Sequence, residues 1–260
     1  MPRFAANLSM MFTEVPFLDR FEAAAKAGFK FVEYLFPYDF EPRALVEKLK
    51  KYGLTQTLFN AGQGNRAAGE RGICALPGRE AEFAASVDTA ILYAKELGNT
   101  KLHLMAGITP QGANVAEMER TYLANIRAAC RKLAPHGITA CIEPINHHSI
   151  PGCFLHTQAQ AAKYIESLRE PNLKLQFDFF HVQMEEGCVA LKFKEFFPLI
   201  GYCQIAGAPE RHEPDTGELR YEYLFPLVES LGYTGFIGCE YNPAGRTEEG
   251  LGWFAPYATR

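Results

Sequence analysis

The sequence has a single tryptophan in 260 residues, no Cys-x-x-Cys pair among its seven cysteines, no extended basic run and no long apolar run. Each absence narrows the range of functions. Without a Cys-x-x-Cys spacing, the odd set Cys74, Cys130, Cys141, Cys153, Cys188, Cys203 and Cys239 does not form a zinc ribbon or a thioredoxin-like redox pair, and is expected to be small thiols in a reducing cytosol. A formal net charge of −4 argues against a nucleic-acid partner, which calls for a basic face. No stretch approaches the ~18 apolar residues of a membrane span. The opening Met1-Pro2-Arg3-Phe4-Ala5-Ala6-Asn7 lacks the apolar core of a signal peptide, so the expected location is cytoplasmic. No expected strand is followed by a Gly-x-Gly-x-x-Gly turn or a P-loop, which disfavours a doubly wound nucleotide-binding sheet.

What is present is regular alternation, with 48% hydrophobic and 22% charged residues. Strands are expected at Phe4 to Leu8, Phe29 to Phe36, Leu54 to Asn60, Lys101 to Ala106, Ile138 to Glu143, Leu173 to Asp178, Ile200 to Ile205 and Phe236 to Glu240. Helices are expected at Pro16 to Ala27, Pro42 to Lys51, Arg79 to Leu97, Val115 to Ala134, Thr157 to Leu168, Leu191 to Phe197, Tyr221 to Leu231 and Thr247 to Phe254. Gly28, Gly53 and Gly98 close three of them in the C-cap position, and Thr157 is a plausible N-cap. Eight β-α units in a chain of this length predict an α/β protein of one domain spanning residues 1–260, a (β/α)8 TIM barrel whose active site lies at the C-terminal ends of its strands. The glycine-rich stretch Ala61 to Gly78 is long for a loop, and its Arg66, Glu70 and Arg71 suggest that it covers a site.

Two of the strands end alike. Ile138 to Ile142 runs into Glu143-Pro144, and Phe236 to Cys239 runs into Glu240-Tyr241-Asn242-Pro243. An apolar strand gains nothing from a carboxylate at its tip, and proline stops further ladder pairing. In a barrel, Glu143, Asp178, Gln204 and Glu240 come from four successive strands. Together they offer oxygen ligands only, a set suited to a hard divalent cation, Mg2+ first and Mn2+ second, rather than zinc. Each taken singly could instead cap a helix or bond a loop. His181, three residues after Asp178, is divided between substrate contact and packing. His103 lies close to the rim, with its direction depending on register. Arg71, Arg211 and His212 are the basic residues available to receive an anionic substrate, a solvated charged turn being the alternative for the last two. His147 and His148 follow Glu143 on a loop with Pro151 and Gly152 and are expected at the surface or behind the site.

These residues resemble the hydroxypyruvate isomerase family within the xylose-isomerase-like barrels, and its bacterial members in particular. The resemblance rests on Phe4 to Met10, Phe36-Pro37-Tyr38, Ala68 to Gly72, Leu76 to Glu80, Ile142 to Asn146, His212-Glu213-Pro214 and Gly238 to Tyr241, and it spans nearly the whole chain. It implies that Glu143 and Glu240 are a proton-transfer pair and that Asp178 and Gln204 complete a divalent-metal site. It also implies an isomerase of a small hydroxy-oxo acid, interconverting 2-oxotetronate and 3-oxotetronate or hydroxypyruvate and tartronate semialdehyde through an enediolate. Many sugar epimerases of the same barrels have histidine where this chain has Gln204, which implies a weakly held ion here. The alternatives are an epimerase or dehydratase of the same barrels, a retaining glycosidase, an endonuclease IV-type nuclease and a non-catalytic sugar-acid binding protein. The glycosidase is disfavoured by the lone Trp253, and the nuclease by the lack of a histidine-rich site and a basic face. Oligomeric state stays open.

Overall fold

Short apolar runs that must be covered on both faces favour parallel strands wrapped by helices. The computed structural model describes residues 2–258. Its strands are β1 (Arg3–Asn7), β2 (Phe31–Glu33), β3 (Thr55–Gln56), β4 (Phe59–Ala61), β5 (Lys101–Leu104), β6 (Thr139–Ile142), β7 (Leu173–Asp178), β8 (Ile200–Ile205) and β9 (Phe236–Cys239). They form one parallel sheet in the order β3-β2-β1-β9-β8-β7-β6-β5-β4. Its two ends, β3 and β4, are separated by only Thr57 and Leu58, and the backbone bonds Thr57 N–H to Val32 C=O and Asn60 N–H to Leu35 C=O carry β2 across the gap. The sheet therefore curls back on itself, and β3 and β4 are two halves of the single strand expected from Leu54 to Asn60. The expected α/β barrel is present.

The helices are α1 (Arg20–Lys26), α2 (Pro42–Tyr52), α3 (Glu80–Leu97), α4 (Val115–Leu133), α5 (Gln158–Leu168), α6 (Phe179–Glu185), α7 (Val189–Phe196) and α8 (Tyr221–Ser230). Their ends follow the local chemistry. Pro42 occupies the first turn of α2, and Gly53 closes that helix at φ 65°. Asn114 and Thr157 cap α4 and α5 by accepting from the N–H groups of Glu117 and Gln160. Two elements differ from expectation. The segment expected as one helix from Thr247 to Phe254 is a 3-10 helix. Helix α6 was not expected at all: it begins directly on Asp178, whose carboxylate caps it, with no glycine or proline to mark the turn.

Period-two alternation decides what faces the barrel interior. On β7 it turns Gln176 and Asp178 to one side, on β8 Tyr202 and Gln204, and at the end of β9 Gly238 and Glu240. Leu58, Cys141 and Tyr202 pack with Phe236 as a small apolar floor. The much larger core lies outside the sheet, between strands and helices. Six of the seven cysteines are buried, and Cys188 is exposed. Among the described residues, no helix is long and apolar enough to cross a membrane.

Gly238 makes room for a charged neighbour. A Cβ there would overlap both carboxylate oxygens of Glu33, which lies fully inside the barrel. Gly238→Ala is therefore expected to destabilise the fold by about 1–3 kcal/mol, the usual cost of overpacking. Urea unfolding checks it, and an unchanged midpoint would mean that Glu33 has space to retreat.

Candidate active site

The C-terminal rim brings three carboxylates together. Glu143 follows β6, Asp178 ends β7 and Glu240 follows β9, and each is more than nine-tenths buried. One guanidinium faces them. Arg211, in the loop after β8 and held at φ 59°, places Nη2 2.8 Å from Glu240 Oε2 and 3.7 Å from Asp178 Oδ2. Its Nε donates to the Glu240 carbonyl, and its plane lies 5.0 Å over the Phe180 ring.

One cation among three buried anions leaves excess negative charge in a poorly solvated space. Burial is the largest force on each carboxyl and favours the neutral form. Glu143 is raised further by the charges of Glu240 and Asp178, with Arg211 opposing. Asp178 is pushed up to about 7, with Arg211 again opposing. Glu240 is raised by burial and pulled back by its direct bond to Arg211.

Burial favours the neutral form of the two histidines at the rim, His103 and His181. Burial lowers His103 to about 3 and depresses His181 well below its ordinary value. His103 points inward, with Nδ1 3.6 Å from Glu143 Oε2. The tautomer of His181 follows from its neighbours. Asn146 Oδ1 accepts from the Ser149 N–H, which turns its Nδ2 amide toward His181 Nδ1 at 2.6 Å. Nδ1 is then an acceptor, and the ring proton sits on Nε2, 3.6 Å from Asp178 Oδ2.

The donor set fits a divalent cation. Glu143, Asp178 and His181 each bring a ligand atom to within 4.8 Å of the others. Glu143 Oε1 and Asp178 Oδ2 are buried with no hydrogen-bond partner among the described residues, as is His103 Nε2. Orphaned carboxylate oxygens facing one another under excess negative charge are what a cation would satisfy.

Gln204 lies beside this cluster, opposite Asp178 in the strand register, but its amide is already engaged. Its Oε1 accepts from Gln176 Nε2 at 2.6 Å and its Nε2 donates to Glu33 Oε1 at 3.0 Å. Glu33 also accepts from Asn7 Nδ2 and lies 2.6 Å from the Tyr202 hydroxyl, which in turn lies 2.7 Å from Thr57 Oγ1.

A cavity of about 210 Å3 opens above the cluster, lined by Glu143, His181, Arg211 and Glu240 from the rim and by Leu35, Phe36, Met105, Ile145 and Ile150 on apolar sides. The long loop does cover it: Arg66, Glu70 and Arg71 line the same space. Arg71 donates to its neighbour's carbonyl and Arg66 lies 4.5 Å over the Phe36 ring, and neither makes an ion pair among the described residues. His212, expected as an alternative anion binder, does not line the cavity, and its Nδ1 is 2.7 Å from the Asn242 carbonyl. Glu33, Asn146 and Gln176 were not among the expected site residues: strand alternation is the available signal for Glu33 and Gln176, Asn146 lies in the loop after β6 and has none, and the partners of all three lie far away in the chain. A larger hollow of about 550 Å3, between α8 and the final 3-10 helix, holds none of these groups.

Residues 21–257 match the family model described as xylose isomerase-like TIM barrel. The chain belongs to this family. It is 52% identical to a 2-oxo-tetronate isomerase of Cupriavidus necator over the whole of both chains. It is 46% identical to the hydroxypyruvate isomerase of Escherichia coli, covering 99% of this chain and 100% of that one. The crystal structure of a protein named AP endonuclease, family 2, from Brucella melitensis superposes with a TM-score of 0.98 at 50% identity, covering both chains fully. The resemblance to the hydroxypyruvate isomerase family is borne out along the full length. In this xylose isomerase-like barrel, the strand-end glutamates and the loop arginines meet at one cavity.

Glu33 gives the interior a pH signature. Burial, and then the charge of Glu240, push its carboxyl from an ordinary 4.5 up to about 8. Between those values the folded state holds a proton that the unfolded state has lost. The resulting stabilisation is complete below pH 4.5, declines through that window and is gone above pH 8. Glu33→Gln, neutral at every pH, is expected to flatten this decline, so that urea midpoints at pH 6 and pH 9 lie closer together than in the unmodified protein. Parallel pH profiles would show that Glu33 ionises without cost.

Proposed function

We propose that this protein is an isomerase that moves a carbonyl between neighbouring carbons of a three- or four-carbon hydroxy-oxo acid, with Glu143 and Glu240 as its acid-base pair. The observation that carries this reading is two buried glutamates, both pushed toward neutrality, lining one cavity of about 210 Å3. The full-length likeness to proteins named 2-oxo-tetronate isomerase and hydroxypyruvate isomerase supports it. So does the cavity's size, which lies below the ~300–1,000 Å3 of drug-sized ligand pockets.

The environments of the two glutamates divide their roles. Glu240, bonded to Arg211, is the easier to ionise and acts as base, taking the proton from the hydroxyl-bearing carbon. The electron pair left behind becomes an enediolate across the two oxygen-bearing carbons. Glu143, crowded by like charge, carries a proton and delivers it to the former carbonyl carbon, while the hydroxyl proton passes to the former carbonyl oxygen and exchange with solvent then resets the protons on the two glutamates. His181, neutral and protonated on Nε2, supplies a hydrogen-bond donor on the same side of the cavity. Arg66 and Arg71, the lining cations without an ion-pair partner among the described residues, receive the substrate carboxylate. Arg211 is less suited to that task because two site carboxylates already hold it.

Asp178, and Glu143 through the oxygen that carries no proton, would hold a divalent cation, Mg2+ by the preference of carboxylate oxygen for hard ions, with Glu240 as a further oxygen. Such an ion would offset the negative charge that develops on the substrate oxygens. Ligation by Gln204 requires its oxygen to leave Gln176, and ligation by His181 Nε2 requires its proton to leave, so both are read as supports behind the carboxylates. A nuclease reading, raised by the name of the solved relative, sits poorly with a net charge of −4 and a cavity of this size.

Glu143→Gln and Glu240→Gln are each expected to lower turnover of hydroxypyruvate and of 2-oxotetronate by about 10²–10⁴-fold, the usual contribution of positioned proton transfer. Exchange of the substrate's carbon-bound proton with solvent deuterium should fall in step, with thermal melting unchanged. Normal turnover in both variants would sink the assignment. Assaying the two acids side by side, before and after treatment with a chelator, ranks the substrates and tests the ion.

A further inference from the structure

A second cluster of ligating side chains lies on the outer side of the connection between β6 and α5. His147 and His156 come from that connection and Glu185 from the last residue of α6. The two imidazole rings lie 4.2 Å apart, tilted by 36°. Glu185 is fixed by two contacts: its Oε2 accepts from the His147 backbone N–H at 2.9 Å, and its Oε1 lies 3.1 Å from His147 Nδ1. All three residues bring a ligand atom to within 4.8 Å of one another. The His147 side chain is 43% exposed, so an ion can reach the cluster from solvent.

An ordinary ion pair accounts for only part of this arrangement. Protonated His147 would pair with Glu185, but that leaves His156 Nδ1, which is buried and has no hydrogen-bond partner among the described residues. It would also stack a cation against a second imidazole. No lysine or arginine among the described residues pairs with Glu185 to compete for its charge. One cation bound to both rings and the carboxylate would satisfy all three at once. Two imidazole nitrogens and one carboxylate suit a borderline ion rather than the hard ion favoured by the barrel carboxylates.

We propose that His147, His156 and Glu185 form a zinc-class metal site, distinct from the carboxylate cluster inside the barrel, with water completing a tetrahedral shell. All three ligands belong to the β6–α5 connection and the end of α6, so the site stands independently of the isomerase reading. It is nevertheless placed to act on the rim. Asn146, which holds His181, immediately precedes His147, and Glu185 lies one helical turn after His181 on α6. An ion here clamps the β6–α5 connection to α6 behind the Asn146–His181 hydrogen bond.

The test is a titration of chelator-stripped full-length protein with Zn2+ alone, in excess Mg2+ and against a chromophoric competitor. It is run on the unmodified protein and on His147→Ala, His156→Ala, Glu185→Gln and Asp178→Asn. Removing a ligand should cost at least the 10–100-fold in affinity that loss of a ligand's supporting partner typically costs. Binding is expected to weaken by that much in the first three variants and to survive Asp178→Asn. Anomalous diffraction at the zinc edge should place an ion between the two histidines. Affinity unchanged in His147→Ala and His156→Ala, or binding abolished by Asp178→Asn alone, would overturn the proposal. His147 is exposed enough that its truncation opens no core, and His147→Gln, which keeps the side chain's bulk, gives a second reading of the same ligand.

Discussion

The upper half of this barrel is governed by a shortage of positive charge. Glu143, Asp178 and Glu240 share a buried space with one guanidinium, and Glu33 adds a further carboxyl among the strands. Such a group of acids cannot all ionise in a poorly solvated interior without a further cation. Several features follow from this. The carboxyls are pushed toward neutrality, two carboxylate oxygens are left without a hydrogen-bond partner among the described residues, and Arg211 is drawn across two acids at once. A site built this way is poised to gain a divalent ion or to exchange protons. Both capacities come from the same imbalance.

The cost of that imbalance is spread through a polar lattice behind the rim. Gln176, Gln204, Glu33, Tyr202 and Thr57 form a chain of short contacts from β7 to the residues between β3 and β4. The Tyr202 hydroxyl donates to Glu33 Oε2 and lies against Thr57 Oγ1, whose hydroxyl donates to the Val32 carbonyl. The bonds from Tyr202, Gln204 and Asn7 favour a charged Glu33, and burial, the larger force, outweighs them. Gln204 belongs to this lattice more than to the rim. Its amide is the link between the strands that deliver Asp178 and those that hold Glu33.

How much of this was legible in the sequence depended on the range of the interaction involved. Strand periodicity and the glutamates before proline are local, and they located Glu143 and Glu240. The bounds of Leu173–Asp178 and Ile200–Ile205 came out as expected. Helix α6 was hidden because Asp178 both ends a strand and caps the helix that follows, leaving no turn residues between them. The direction of His103 required the register of β5 against β6, which pairs it with Cys141 and brings it beside Glu143. The engagement of Gln204 depends on Gln176 and Glu33, the latter 171 residues away, and no local pattern reports such a partner. Arg211 lay between a binding role and a solvated turn, and it proved to be the counter-charge of the acids themselves.

The loop over the cavity shows how a flexible-looking sequence can hold a side chain in place. Its glycine-rich stretch suggests a mobile cover, yet Gly72 pairs in antiparallel fashion with Ala106 just beyond β5. The Cys74 and Ala75 N–H groups donate to the carbonyls of Met105 and Ala106, and Asn125 Nδ2 from α4 donates to the Cys74 carbonyl. Gly72 sits at φ 126°, and a Cβ there would overlap the Met105 carbonyl and the Gly107 nitrogen, so only glycine permits the backbones to approach this closely. On the other side, the Glu70 carboxylate accepts from the Asn65 N–H and pairs with Arg79 at the start of α3. Arg71 therefore extends from a segment stitched to the barrel on both flanks. A carboxylate bound beneath it would meet a cation already in position, and less binding energy would go into ordering the cover. Gly62, Gly64 and Gly72 serve close packing, which gives the cavity a fixed roof and a size set by the backbone.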